Sequence, residues 1–136
     1  MSLAIIRAAL EKRLAAQSPT IATAFENVVF SATTGVPYQR VNLLPATPDN
    51  SIMGAASYFE QGIFQVTLCY PIGTGPADCE AQVQLLRTWF KRATTMLEQG
   101  ITVMVTDTPA VGGAAMVDDR FCVPVSISYR AQVLTP

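Results

Sequence analysis

Residues 121–133 read FCVPVSISYRAQV, and this stretch decides the fold. Apolar side chains occupy every second position from Phe121 to Val133, and the positions between them are mostly polar or small. A period of two over this length is typical of a β-strand that buries one face. Such a strand would be roughly 43 Å long at about 3.3 Å per residue, about twice the usual strand length. We therefore expect it to extend past one small sheet and to help build an assembly.

Pro124 lies inside this predicted strand. Because proline has no N–H to donate, the strand should lie at a sheet edge at this point or carry a bulge. A long exposed edge pairs readily with other chains unless something covers it. The sequence leaves two covers open: a neighbouring subunit or partner strand, and the N-terminal segment of the same chain.

Residues 2–17 have apolar side chains at helical spacing, which predicts an amphipathic helix. Ser2 suits the N-cap, and Pro19 disfavours helical geometry in the residue before it, so the helix should end there. Charged side chains lie on the other side of the helix, whereas the core of a signal peptide is free of charge. We therefore expect no export signal. The apolar stripe consists of Leu3, Ile6, Leu10 and Leu14.

A second amphipathic helix is predicted over residues 79–97. Asp78 suits its N-cap, and Gly100 suits its C-terminal cap. Glu80 in the first turn and basic side chains near the end match the helix dipole. The predicted core-facing stripe consists of Val83, Leu86, Phe90, Ala93 and Leu97, with Trp89 beside it.

Five segments have the spacing or composition of strands. They cover residues 28–32, 38–44, 58–70, 101–106 and 121–133. The predicted order is α-β-β-β-α-β-β, with strands that pair mainly as antiparallel hairpins or meanders. Two amphipathic helices packed on one face of an antiparallel or mixed sheet make an α+β fold. No linker divides the chain, so we expect one domain over residues 1–136.

Charge is sparse in this sequence. Charged residues make up 14% and hydrophobic residues 50%, whereas a soluble domain usually carries about 25% charge. Either other subunits cover part of the surface, or the surface is rich in Thr, Ser, Gln and Asn. The net charge is −1 and no basic run occurs, so we expect no nucleic-acid recognition. No uninterrupted apolar stretch reaches about 18 residues, so we expect no membrane span.

The chain contains no histidine and three cysteines. Histidine is the commonest general base and metal ligand, so its absence favours a scaffold over an enzyme and predicts no metal or cofactor. The spacing of Cys69, Cys79 and Cys122 suits reduced, buried thiols in a cytoplasmic product. Cys79 lies at the predicted start of the second helix, where the dipole lowers a thiol pKa. It is the most reactive candidate if the protein is an enzyme, and a buried structural thiol otherwise.

Two long loops, residues 45–57 and 107–119, carry apolar side chains among small residues. Such a loop suits docking to a partner, and an ordinary surface loop is the alternative. The polar side of the closing strand would contribute to the same contacts if its edge is exposed. The candidate interface residues are Ile52, Met53, Val111, Met116, Ser126, Ser128 and Arg130.

Three segments occur in a familiar order. They are SLAIIRAAL at residues 2–10, YQRVNLLPA at residues 38–46 and GIFQVTL at residues 62–68, followed by a Gly/Pro linker and a helix. This combination resembles the tail terminator-like (tail completion) proteins of long-tailed bacteriophages, over roughly residues 3–133. No single motif carries the resemblance.

The resemblance implies a structural subunit, without catalytic residues, of a homohexameric ring. The ring would cap the major tail tube protein's polymer, stop its growth and present a joining surface to the head–tail connector protein. It would lie at the head-proximal end of the virion tail after assembly in the host cytoplasm. A head–tail joining (neck) protein is the alternative in the same class. A small cysteine-dependent enzyme or small-molecule binder is the alternative from another class.

Overall fold

The computed structural model describes residues 2–17, 21–31, 35–50, 57–73, 76–117 and 120–134. These residues form two helices and eight strands. In chain order they are α1 Ser2–Ala15, β1 Ala22–Ala24, β2 Tyr38–Pro45, β3 Ser57–Pro71, α2 Ala77–Trp89, β4 Thr95–Glu98, β5 Ile101–Val105, β6 Ala110–Val111, β7 Ala115–Val117 and β8 Arg120–Leu134. The predicted α+β fold is confirmed.

The strands form one mixed sheet in the order β1-β2-β3-β8-β5-β4, and β6 and β7 also pair with β8. β1 and β2 are parallel, whereas β3 and β8 are antiparallel along their whole length. In this central pair Phe64 lies opposite Ile127, and Val66 lies opposite Val125. All four of these side chains are buried, so the β3–β8 pair forms the centre of the core.

α1 and α2 cover the same face of the sheet, as the sequence predicts. Most of the predicted stripe of each helix and the odd-numbered side chains of β8 from Val123 to Ala131 belong to one buried cluster, whereas Leu3 is 42% exposed. Phe64 of β3 and Phe90 meet inside it, with ring centroids 6.3 Å apart. The helix residues of the cluster are Ile6, Ala9, Leu10, Leu14, Cys79, Val83 and Leu86.

β8 confirms the predicted long strand, but the prediction that it is an edge strand is wrong. It has 15 residues, and from Val123 to Val133 buried positions alternate with more exposed ones as expected. β3 pairs with one side of β8, and β5, β6 and β7 follow one another along its other side. The extra length is therefore used within the subunit, because β8 has to span these shorter strands.

Pro124 is compatible with this central position because the strand pairing on one side of β8 is interrupted there, between β6 and β7. The Cα atoms of Cys69 and Cys122 are 4.1 Å apart, the close spacing of a non-hydrogen-bonded pair. The backbone groups of residues 122 and 124 therefore point away from β3, toward β6 and β7. The chain between β6 and β7 leaves the ladder there, and Gly112 N–H donates to the Pro124 carbonyl at 2.8 Å. The Pro124 nitrogen, which has no hydrogen to donate, thus faces the gap between β6 and β7.

α2 ends at Trp89, so the predicted continuation to residue 97 is wrong. Ala93 adopts a left-handed φ of 73° and turns the chain back. Its N–H donates to the Val105 carbonyl at 2.8 Å, and β4 then pairs with β5. Leu97 is 72% exposed instead of lying in the core. Pairing within the β4–β5 hairpin has overridden a helical spacing that continues beyond the end of the helix.

Two further boundaries differ from the predictions. Residues 28–31 are not a strand, and Val29 is 98% exposed. The strand before β2 is instead β1, whose residue Ala24 is buried and lies opposite Arg40. Pro76, and not Asp78, occupies the N-cap of α2, and no side chain caps the helix. Strand-forming side chains such as Val29 do not make a strand without a partner to pair with.

Candidate functional site

An apolar groove opens beside the start of α2, on the side where β6 and β7 lie. It consists of two adjoining hollows of about 380 and 510 Å³, which share Pro76 and Phe121. Most of its lining is apolar, and we call it the α2 groove. The residues that define it are Ile72, Pro76, Val83, Val111, Met116 and Phe121.

Strands β6, β7 and β8 build one wall of this groove. β7 and β8 are antiparallel neighbours, and their register sets Met116 opposite Phe121. Arg87 of α2 donates from Nε to the Pro109 carbonyl at 3.1 Å, which ties the helix to the loop before β6. Gly112 lies against Pro124, and a Cβ at Gly112 would come within 2.8 Å of the proline Cγ. The wall is therefore held by hydrogen bonds and close packing.

Large apolar side chains of the α2 groove are exposed to solvent. Met116 is 59% exposed, Ile72 53% and Val111 41%. Single exposed apolar residues are common, but a contiguous patch of them marks a surface for interaction. The α2 groove is therefore the candidate interface of this molecule.

The predicted interface residues divide between two surfaces. Val111 and Met116 lie together in the α2 groove. Ser126, Ser128 and Arg130 are half-buried on the opposite face of the sheet. The two groups therefore lie on different faces of the sheet. Ile52 and Met53 lie outside the described residues.

Arg130 is already engaged within the subunit. Its Nη2 donates to Asp49 Oδ2 at 2.5 Å, and its guanidinium lies 4.1 Å from the centroid of the Phe59 ring. Ser128 and Arg130 also line a shallow hollow of about 340 Å³ with Gln61. The opposite face of the sheet is thus a second, more polar surface.

Sequence reasoning missed Ile72 and Phe121 as groove residues. Phe121 begins the alternating strand, so its position predicts a core residue, whereas it is only half-buried. Ile72 could have been found, because it is a large apolar residue in a Gly/Pro-rich linker. Such a residue has no helix or strand to bury it.

Cys79 lies at the edge of the groove, but its thiol is not activated. The side chain is 1% exposed, and burial raises its pKa, with a smaller contribution from the Glu80 carboxylate. The expected lowering by the helix N-terminus is therefore wrong, because desolvation outweighs it. A buried, protonated thiol is a poor nucleophile.

The other two cysteines form a disulfide, so the prediction of three reduced thiols is also wrong. Cys69 and Cys122 lie opposite each other on β3 and β8 and are bonded to each other. They are buried in a small cluster with Ala24 and Tyr38, on the sheet face away from the helices. The register of two strands that are distant in sequence brings these cysteines together.

No group of His, Cys, Asp and Glu among the described residues is arranged to hold a metal ion. Neither α1 nor α2 is long and apolar enough to cross a membrane.

Comparison with known proteins places the chain in a family. The sequence model of a family described as "Phage tail terminator protein" matches residues 5–129, from within α1 to within β8. The chain is also similar to a solved structure with which it shares 30% sequence identity. Their alignment covers 100% of this chain and 99% of the other chain, with a TM-score of 0.77. No curated protein matches significantly. The family name describes a structural component of the virion tail, and the resemblance seen in the sequence is confirmed. The chain belongs to the phage tail terminator family.

Proposed function

We propose that this protein forms a homohexameric ring on the head-proximal end of the phage tail tube. The ring stops polymerisation of the major tail tube protein and offers a joining surface to the head–tail connector protein. The family match over residues 5–129 is the observation that carries this proposal. Assembly takes place in the host cytoplasm, and no cofactor, membrane or nucleic-acid sequence is required.

The surface of the subunit supports this role. A terminator has to contact its own copies, the tube and the connector, so it needs more than one interaction surface. The α2 groove and the polar sheet face around Ser126 and Ser128 lie on opposite sides of the sheet. With 14% charged residues, we favour a surface that other subunits cover in part over one that is coated with uncharged polar groups.

Deletion of the gene in the phage tests the proposal. Loss of a terminator should give tails that are longer than normal, broadly distributed in length and not joined to heads. Tails of normal length that fail to join heads would instead assign the protein to the neck. Tails of normal length on intact virions would contradict both roles. Complementation with the wild-type gene should restore one tail length, and a Cys79→Ser gene should do so equally well.

A further inference from the structure

The charged side chains of the described residues are mostly used in internal contacts. Arg7 pairs with Glu26 at 2.7 Å, Lys12 pairs with Glu98, and Arg130 pairs with Asp49. Arg13 and Arg87 donate to backbone carbonyls. Few charged side chains of the described residues are therefore left without an internal contact.

Four of the remaining charged side chains lie at the two ends of α2, with the acidic ones at its start and the basic ones after its end. Asp78 and Glu80 lie in its first turn, and Lys91 and Arg92 follow its last residue. All four are exposed, and none makes an ion pair with another described residue. α2 has 13 residues, which places the acidic and basic ends roughly 20 Å apart at about 1.5 Å per residue.

Each end also carries exposed apolar surface. Glu80 and Arg87 both line the α2 groove, and Arg87 donates to the Pro109 carbonyl. With the exposed Asp78 beside Glu80, two carboxylates and one guanidinium lie at or beside the groove, which leaves this end net acidic beside an apolar hollow. The basic end leads into β4, which pairs only with β5 within the described part of the chain. β4 carries Leu97, the exposed side chain that faces away from the core. One patch is thus an apolar hollow with a net acidic end, and the other is an end strand with an exposed leucine and basic neighbours.

We propose that the α2 groove of one subunit receives the Lys91–Leu97 segment of a second copy of this chain. The opposite charges of the two patches identify this occupant, because the complement of the acidic groove is present on the same molecule. Two acidic grooves placed together would instead repel each other, which disfavours a two-fold contact through the groove. The inference rests on the proposed ring and names the contact that closes it.

Such a contact is heterologous, because it joins two different patches. Heterologous contacts generate rings when the rotation between subunits closes, and open filaments when it does not. The two patches lie at opposite ends of α2, so each subunit can bind one neighbour at each end. The polar face of the sheet remains available for other partners.

Charge reversal of each patch tests the contact. One variant carries Asp78→Lys with Glu80→Lys, and the other carries Lys91→Glu with Arg92→Glu. Each should raise the concentration of half-assembly about tenfold or more in sedimentation velocity at low salt, because the contact then joins like charges. A one-to-one mixture of the two variants should assemble again, since every contact in an alternating ring then joins opposite charges. Arg40→Glu, an exposed reversal on the other sheet face, is the matched control and should assemble like the wild type.

Circular dichroism and thermal midpoints show whether the variants fold. Because acidic side chains stabilise the start of a helix, Asp78→Asn with Glu80→Gln provides a milder variant, which should weaken assembly severalfold. Wild-type rings together with unaffected assembly of both reversed variants would overturn this contact and leave the proposed function standing. A mixture that stays dissociated would also overturn it. A wild-type protein that remains monomeric, alone and on tail tubes, would contradict the ring itself.

Discussion

Arg13 and Trp89 join the ends of α1 and α2 through hydrogen bonds in both directions. The Trp89 indole Nε1–H donates to the Arg13 carbonyl at 2.6 Å. Arg13 donates to the Trp89 carbonyl from Nε at 3.1 Å and from Nη2 at 2.8 Å. Its guanidinium lies 4.3 Å from the centroid of the indole ring. Each side chain thus donates to a backbone carbonyl near the C-terminus of the other helix. That carbonyl has no hydrogen-bond partner within the helix to which it belongs.

Breaking this pair should lower stability without affecting the rest of the core. Trp89→Phe removes the indole donor, and Arg13→Lys removes the two-donor contact. Each change should cost about 1–3 kcal/mol of unfolding free energy. Urea denaturation of both single variants and the double variant should give a coupling energy of about 0.5 kcal/mol or more. Strictly additive effects would show that the contact does not hold the helices together.

Phe90 and Leu97 belong to the same predicted helical stripe but differ in the structure. Phe90 is fully buried against Phe64, so Phe90→Ala should cost about 3–5 kcal/mol through lost burial and a cavity. Leu97 is exposed on β4, so Leu97→Ala should change stability by less than about 0.5 kcal/mol. Chemical denaturation measures both. A similar large loss at the two positions would contradict the end of α2 at Trp89.

The difference between these residues shows the limit of local periodicity. The alternation of β8 was predictable because one buried face imposes a period of two. The end of α2 was not, because the pairing of β4 with β5 depends on the residues that follow the helix. Pro124 is a similar case. The residue type alone shows that Pro124 cannot donate a hydrogen bond to a neighbouring strand. Only the topology shows that its nitrogen faces the gap between β6 and β7.

The candidate site was predictable in part for the same reason. Val111 and Met116 were identified as apolar residues in a loop, and both lie in the α2 groove. Phe121 was assigned to the core from its place in the alternation. The Cys69–Cys122 bond depends on the register of β3 and β8, and a search for local cysteine motifs does not detect such a pair.

Cys79 should react slowly with alkylating reagents in the folded protein. Burial raises its thiol pKa, so the neutral thiol prevails at pH 7, and the rate should rise only above the usual pH for a thiol. Because the thiol pKa is higher in the folded state than in the unfolded state, the contribution of the thiol to stability is present below the unfolded pKa. This contribution is lost as the pH rises through the folded pKa. Maleimide labelling across pH measures the rate. Rapid labelling near pH 7, together with loss of assembly in a folded Cys79→Ser variant, would favour the cysteine-dependent alternative.

Met116→Glu should weaken assembly while the subunit stays folded. The side chain is mostly exposed in the α2 groove, so the fold tolerates the charge, whereas an interface core disfavours an unpaired one. Ser126→Lys places a charge on the opposite face of the sheet and tests the second surface in the same way. The thermal midpoint and the oligomer distribution should be measured for both. Normal folding, assembly and tube capping by both variants would exclude these surfaces as interfaces.

The central claim is that this protein ends the growth of the tail tube. The most direct measurement is the length distribution of tubes in electron micrographs, as purified major tail tube protein polymerises with increasing amounts of this protein. We expect tubes to become shorter as the protein is added, with one ring of additional density on a single end. Unchanged tube lengths and bare ends in the presence of excess folded protein would contradict the claim.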